Sequence, residues 1–313
     1  DLRQLDRLVR AAERRLQVLA NRRPPAVVRQ ALIDLAASYG YSIDAVFGLE
    51  AVPATGRKPL EFSLFYFASD ERENTQDKYR LLLEGARFAD ERGFSAVWTP
   101  ERHFHAFGGL YPNPSVVSAA IAATTRNIRI RAGSIVLPLH NPIRVAEEWS
   151  VVDNLSHGRV GLSFAAGWHA DDFVFQKEHY AERRAIMLRE IDTVRALWRG
   201  EARSFQNGAH QDIPVLPLPR PVQKELPFWL TASGDPKTFE AAGEAGAGIL
   251  THLLGQSVEE LAGKLARYRE ARRKAGHAGE GHVTLTLAGT PTRPPQSYSR
   301  THCQPLSFRI AGG

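Results

Sequence analysis

The sequence holds one cysteine, Cys303, and one methionine, Met187. A single thiol excludes an intrachain disulfide and any cysteine-rich metal site, and it fits a reducing, cytoplasmic setting. The lone methionine is internal, so the chain starts without an initiator and is expected to be processed or cut from a longer polypeptide. No apolar run approaches the roughly 20 residues that cross a bilayer, and no apolar h-region with a small-residue cleavage site follows the Arg-rich start. Neither a membrane segment nor a signal peptide is expected. Chemical motifs are also missing. No G-x-G-x-x-G fingerprint follows the first strand, no G-x-S-x-G marks a nucleophile, and no H-E-x-x-H sets two histidines on one helix face. His103, His140, His169, His179 and His252 show no metal-ligand spacing with acids, so no metal is expected. The chemistry is expected to come from a bound cofactor.

What is present is enough for a full core: 313 residues with 43% hydrophobic content, which suit one large α/β domain with an appendage or two ordinary domains. The net charge of +6 raises nucleic acid as a partner. The distribution argues against it, because basic residues alternate with acids at helical spacing, as in Glu182, Arg183, Arg184, Arg189 and Glu190. Solvated helix faces explain the charge, and a small anionic ligand fits equally well.

Residues 1–58 read as a helical leader, with Leu2, Leu5, Leu8 and Val9 at helical spacing, the same spacing again in Val27, Val28, Ala31, Leu32 and Leu35, and a linker-like VPATGRKP at the end. From Glu61 the pattern becomes short apolar runs alternating with amphipathic helices, the signature of βα units around a parallel sheet. Strands are expected at Phe62–Phe67, Ala96–Thr99, Ile128–Leu137, Val160–Ala165, Phe228–Thr231, Gly248–His252 and Val283–Leu287. Helices are expected near Gln76–Arg92, Asn113–Thr125, Pro142–Leu155, Tyr180–Trp198, Asp235–Ala245 and Ser257–Lys274. Seven such steps favour an α/β fold of the TIM (β/α)₈-barrel type over an open sheet, spanning residues 59–287. A regular eighth strand is missing. Residues 288–313 carry four prolines, three arginines and no acid, and read as an irregular tail, either disordered or frame-altered, so the last strand is absent or supplied otherwise.

Barrel active sites form at the C-terminal strand ends, so the polar residues after each apolar run are the candidates. Strand one ends at Ala68. Strand two ends in Glu101, Arg102 and His103, an acid, a guanidinium and an imidazole able to orient a substrate or manage a proton; a structural loop network is the competing explanation. Strand three carries Gly133 and Ser134, where glycine marks a bulge or a close approach to ligand. Strand four ends in Ala166, Gly167, Trp168 and His169, where small residues leave room for a planar ligand walled by Trp168, or merely fit a crowded barrel. Ala232, Ser233 and Gly234 precede a helix whose free N–H groups make a phosphate cradle, compatible with a plain cap by Asp235.

These residues resemble the bacterial luciferase-like, flavin-dependent monooxygenase superfamily, over about Pro59 to Leu287. VWTPERHFHAFG, NPSVVSAA, AGSIVLPLHNPIRVAEEWSVVDNLSHGRVGLSFAAGWHADDF and ASGDPKTFEAAGEAGAGILTH carry the likeness. Within it, the chain is most similar to the subgroup associated with natural-product assembly lines beside peptide-synthetase or polyketide modules. The resemblance implies reduced FMN supplied by a separate flavin reductase, O₂ as co-substrate, and oxygen transfer to an organic substrate, in an assembly line a group tethered to a carrier protein. It assigns cofactor contacts to Ala68, Gly133, Ser134, Ala166, Gly167, Trp168, Ala232, Ser233 and Gly234, and proton handling to Glu101, Arg102, His103 and His169, with Phe67 shaping the dry pocket. The family's cis peptide in strand three would map to Gly133 and Ser134. Two positions depart from luciferase: Arg102 stands where it has a histidine, leaving the base open, and Ala166 where it has an arginine near the phosphate. Family members often dimerise through barrel helices. Two rival readings stand beside this one, an F420-dependent oxidoreductase of the same fold and a degenerate, non-catalytic flavin-binding domain.

Overall fold

In the computed structural model, residues 60–67, 77–289 and 306–312 are described. The leader 1–58, Ala68 and Cys303 lie outside them. The element order is β1 (Ser63–Phe65), α1 (Arg80–Glu91), β2 (Ala96–Thr99), α2 (Pro114–Thr124), β3 (Arg129–Val136), α3 (Pro142–Ser156), β4 (Val160–Ala165) and α4 (Arg183–Arg199). There follow β5 (Arg203–Gln206), β6 (Asp212–Val215), β7 (Phe228–Thr231), α5 (Pro236–Glu244), β8 (Gly248–His252), α6 (Val258–Lys274), β9 (Val283–Gly289) and β10 (Leu306–Gly312). The barrel is closed in the order β1-β10-β9-β8-β7-β4-β3-β2, while β5 and β6 form a separate hairpin.

The expected eighth position is filled, against the irregular tail read from residues 288–313. β10 pairs antiparallel with β9 through Leu306↔Gly289 to Gly312↔Val283, and antiparallel with β1 through Leu64↔Phe308. An antiparallel neighbour needs no crossover helix, so a strand can return there without a βα unit. Leu306, Phe308 and Ile310 alternate with Ser307, Arg309 and Ala311, a short period-two signal hidden behind four prolines.

Side chains of alternate strand residues face inward or outward, and the two sets make two cores. Phe65, Ala96, Trp98, Trp229 and Leu250 fill the barrel. Glycines make room for them: a Cβ at Gly133 would stand 2.7 Å from the Phe65 ring and 2.9 Å from Trp98, and one at Gly248 2.3 Å from Trp229. Outward-facing Val97, Ile130, Leu162, Leu230 and Ile249 pack under the helices.

Three helices start at the C-terminal strand ends on the same device. Asn113, Asn141 and Asp235 cap backbone N–H groups two residues on, each followed by a proline at the first helical position. α6 starts on a capping box between Ser257 and Glu260. These starts line up the rim on which the site stands.

Candidate active site at the barrel mouth

β2 delivers Glu101, Arg102 and His103 to the rim. The Glu101 side chain is fully buried at 0% exposure. Its Oε1 is hydrogen-bonded with His103 Nε2 at 2.8 Å and with His140 Nε2 at 2.6 Å, and its Oε2 accepts from the Val136 N–H at 2.8 Å. Burial works to raise its pKa, but the two imidazole hydrogen bonds, the His140 charge and the Val136 amide hold the carboxyl below the usual range. Burial pulls His140 down, yet the Glu101 bond and the Glu101 and Glu148 charges leave it above its ordinary value. Among the described residues no set of His, Cys, Asp and Glu has the arrangement of a metal site.

Arg102 turns the other way. Its guanidinium lies 4.9 Å from the Trp168 ring, and its buried Nε has no hydrogen-bond partner among the described residues. Trp168 is 69% exposed and meets His169 edge-on, and His169 stands 4.0 Å from Asp171. Gly167 takes φ +79°, where a Cβ would also strike Val136 at 2.8 Å and Phe173 at 3.0 Å, so glycine is required to present Trp168. Buried Asp172 faces this group: burial pushes its carboxyl up, only partly offset by His103, His169 and Arg102. Aromatic rings line the way out of the barrel, with Phe65 stacked on Phe67 at 4.9 Å and Phe67 on Phe107 at 5.5 Å. Phe175 covers His103 at 4.9 Å.

Further round the rim, the register of β3 against β4 shifts between Gly133 and Ile135. Ser134 is the extra residue of that bulge, and its Oγ bonds Thr231 Oγ1, which also meets Ser163 Oγ at 2.8 Å. The expected cis peptide is not there. The described residues hold one cis bond, Leu218–Pro219, and β3 absorbs its irregularity in the bulge instead.

The start of α5 forms the cradle. Among the described residues, the Ser233 and Gly234 N–H groups and Ser233 Oγ have no hydrogen-bond partner, and nothing lies within 4 Å of a Cβ placed on Gly234. Two cations flank it: Arg184 Nη1 stands 2.5 Å from Asp235 Oδ2, and Lys264 Nζ 3.1 Å from Ser233 O. Open donors at a helix start with two cations beside them suit a phosphate, so the residues present fit that end of FMN.

The structure therefore joins Glu101 to His103 and Arg102 to Trp168, and leaves Ser233 and Gly234 open. Ala232 belongs to the outer core and Ala166 packs against it. Sequence reading missed His140, which lies 39 residues from Glu101. It also assigned Arg184 to a solvated helix face, whereas Arg184 reaches Asp235 across 51 residues. A missing cation at Ala166 was the one available hint that another must supply it.

The model of the luciferase-like monooxygenase family matches residues 60–293. The oxygenase component of a flavin-dependent trigonelline monooxygenase from Acinetobacter baylyi is 29% identical over 212 residues, 65% of this chain and 58% of the relative. Among solved structures, monooxygenase RslO1 from Streptomyces bottropensis is similar with TM-score 0.61 and 30% identity, over 68% of this chain and 65% of that one. The oxygenating constituent of 3,6-diketocamphane monooxygenase from Pseudomonas putida, in complex with FMN, shares the fold at TM-score 0.61 and 18% identity, over 70% of this chain and 64% of that one. The chain spans less than two thirds of the length of each.

Proposed function

Because the chain belongs to the luciferase-like monooxygenase family, we propose that it is the oxygenase of a two-component monooxygenase that takes reduced FMN from a separate flavin reductase and transfers oxygen from O₂ to an organic substrate. The observation that carries the cofactor assignment is the open start of α5 flanked by Arg184 and Lys264. The A. baylyi relative is named an oxygenase component, which supports the reductase partner.

Reduced flavin, when bound, supplies the electrons that activate O₂. The chain's residues do the rest. Ser233 and Gly234 donate to the phosphate while Arg184 and Lys264 offset its charge, replacing the cation absent at Ala166. Ser134 offers a hydroxyl at the β3 bulge and Gly167 backbone space. Phe67, Phe107 and Trp168 give the mouth apolar walls, against which bound flavin and substrate would displace water. Glu101 orients His103, His103 and His169 handle protons at the substrate, and Arg102 offers fixed N–H donors and charge beside them.

The substrate is a group tethered to a carrier protein in natural-product assembly, a reading supported by the resemblance and by the net charge of +6, which suits an acidic carrier. Flavin titration against F420, followed by ¹⁸O₂ incorporation into carrier-bound and free acyl substrates with reduced FMN, tests each part. Preference for F420 overturns the cofactor. Binding of FMN without any oxygen incorporation favours the non-catalytic alternative, and equal turnover of the free acid removes the carrier.

A further inference from the structure

The cluster around Glu101 contains more imidazole than one base requires. Three nitrogens converge on the carboxylate: His103 Nε2 and His140 Nε2 on Oε1 and the Val136 amide on Oε2. The Val136 amide and the two imidazole bonds outweigh burial and hold the carboxyl below its usual range, so the group is an anion. A fully buried anion needs a compensating charge nearby. Arg102 makes no ion pair with Glu101 among the described residues, its guanidinium lying 4.9 Å from the Trp168 ring instead. The charge must sit on one of the two histidines.

The surroundings distinguish them. His140 makes the shorter bond, 2.6 Å, as a charge-assisted donor does, and a third of its side chain, 33%, is exposed to hydrating water. It also feels Glu148 of α3, a second carboxylate. His103 is 8% exposed and lies against the Phe175 and Phe104 rings. Asp172 also faces His103, but it shares its charge with His169 and Arg102, and burial raises its carboxyl.

We propose that His140 is the positioning residue of the site: it carries the charge that balances Glu101, and so keeps His103 neutral with Nε2–H on Glu101 and the Nδ1 lone pair free to accept a proton. The proton taken up at Nδ1 makes His103 an imidazolium while Glu101 stays ionised. This assigns the base that the sequence left open between Arg102 and His103, and it rests on the barrel mouth being the reaction site.

Long-range ¹H–¹⁵N spectra of the full chain, without cofactor, read the protonation of each ring directly. At pH 7, His140 is expected as the imidazolium and His103 as the neutral Nε2–H form. In His140→Gln, which keeps an N–H donor but no charge, the His103 pKa should rise by at least one unit, a tenfold shift, and His140→Lys should return it. The same shift should appear in the pH profile of kcat rather than in KM. An imidazolium at His103 in the unsubstituted protein overturns the proposal without any variant, and so does an unmoved His103 titration in folded His140→Gln. Failure to bind FMN sinks the functional reading separately, because the ring assignment needs no flavin.

Discussion

Single residues at the mouth act through charge, and their effects have definite signs. Ser233→Asp places a carboxylate in the cradle and Arg184→Ala removes a cation from it; each should weaken FMN binding by about tenfold or more, about 1.4 kcal/mol, in a fluorescence titration, and unchanged affinity would remove the phosphate from α5. The Glu101–His140 pair sets a pH window. The lowered Glu101 carboxyl contributes stability that is complete above its ordinary pKa of 4.5 and lost as pH falls through the folded value. The raised His140 contributes stability that is complete below 6.5 and lost as pH rises through its folded value. Asp172, pushed up, has the sign of His140 and opposes Glu101: its stability is complete below 3.8 and lost on ionisation. Melting temperatures between pH 4 and 8 should therefore peak between these limits, and Glu101→Gln should flatten the curve; superimposable profiles would contradict the pair. Inside the barrel, Arg131 lies 3.9 Å from the Trp229 ring and 5.2 Å from Trp98, with Nη1 unpartnered among the described residues. Burial lowers its pKa, yet a guanidinium keeps its proton in proteins, so the cost falls on stability. Arg131→Met should raise stability by about 1–4 kcal/mol in urea unfolding. Glu101 and His103 were legible because a strand end names its own next residues. His140 and Arg184 were not, since only closure of the barrel brings them to Glu101 and Asp235.

Elements were legible where one periodicity dominated. β2, β4, β7 and β8 have the bounds read from their apolar runs, and the starts of α2, α3 and α5 follow from Asn-Pro and Asp-Pro pairs. The β5–β6 hairpin was missed because its residues are exposed or half-buried and include Pro214, so no apolar run announces it. The bulge at Ser134 replaced the expected cis bond, and a single glycine is compatible with either. β10 was missed because its alternation is short and its neighbours in sequence are prolines. Its pairing carries a prediction: a chain ending at Gly289 leaves β1 and β9 as open edges, which invite intermolecular pairing. Such a truncation should lower the melting temperature by at least about 4 °C, roughly the effect of 1–2 kcal/mol in a domain of this size, and scatter light on heating. An unchanged melt would mean that β10 adds nothing to barrel closure.

At the scale of the whole barrel, the two ends do different work. The end opposite the mouth is tied by polar staples: Arg159 donates to Ser156, Thr125, Ile128 and Ala122, and Asp90 accepts from three successive N–H groups, Arg126 to Ile128. The outside is less complete. Val116 of α2 is 64% exposed, Val151 and Leu155 of α3 are 44% and 49%, and Leu81 and Phe88 of α1 are 54% and 52%. Single exposed apolar residues are ordinary, but five on three neighbouring helices leave apolar surface that water disfavours. A second copy covering α2 and α3 is the simplest partner, since a two-fold axis lets one patch meet itself. Sedimentation equilibrium should give a dimer for the unsubstituted chain and a monomer for Val116→Glu with Leu155→Glu, with far-ultraviolet dichroism unchanged. A monomer before substitution would leave this face to another partner. A dimer that survives both glutamates would place the interface on a different set of helices.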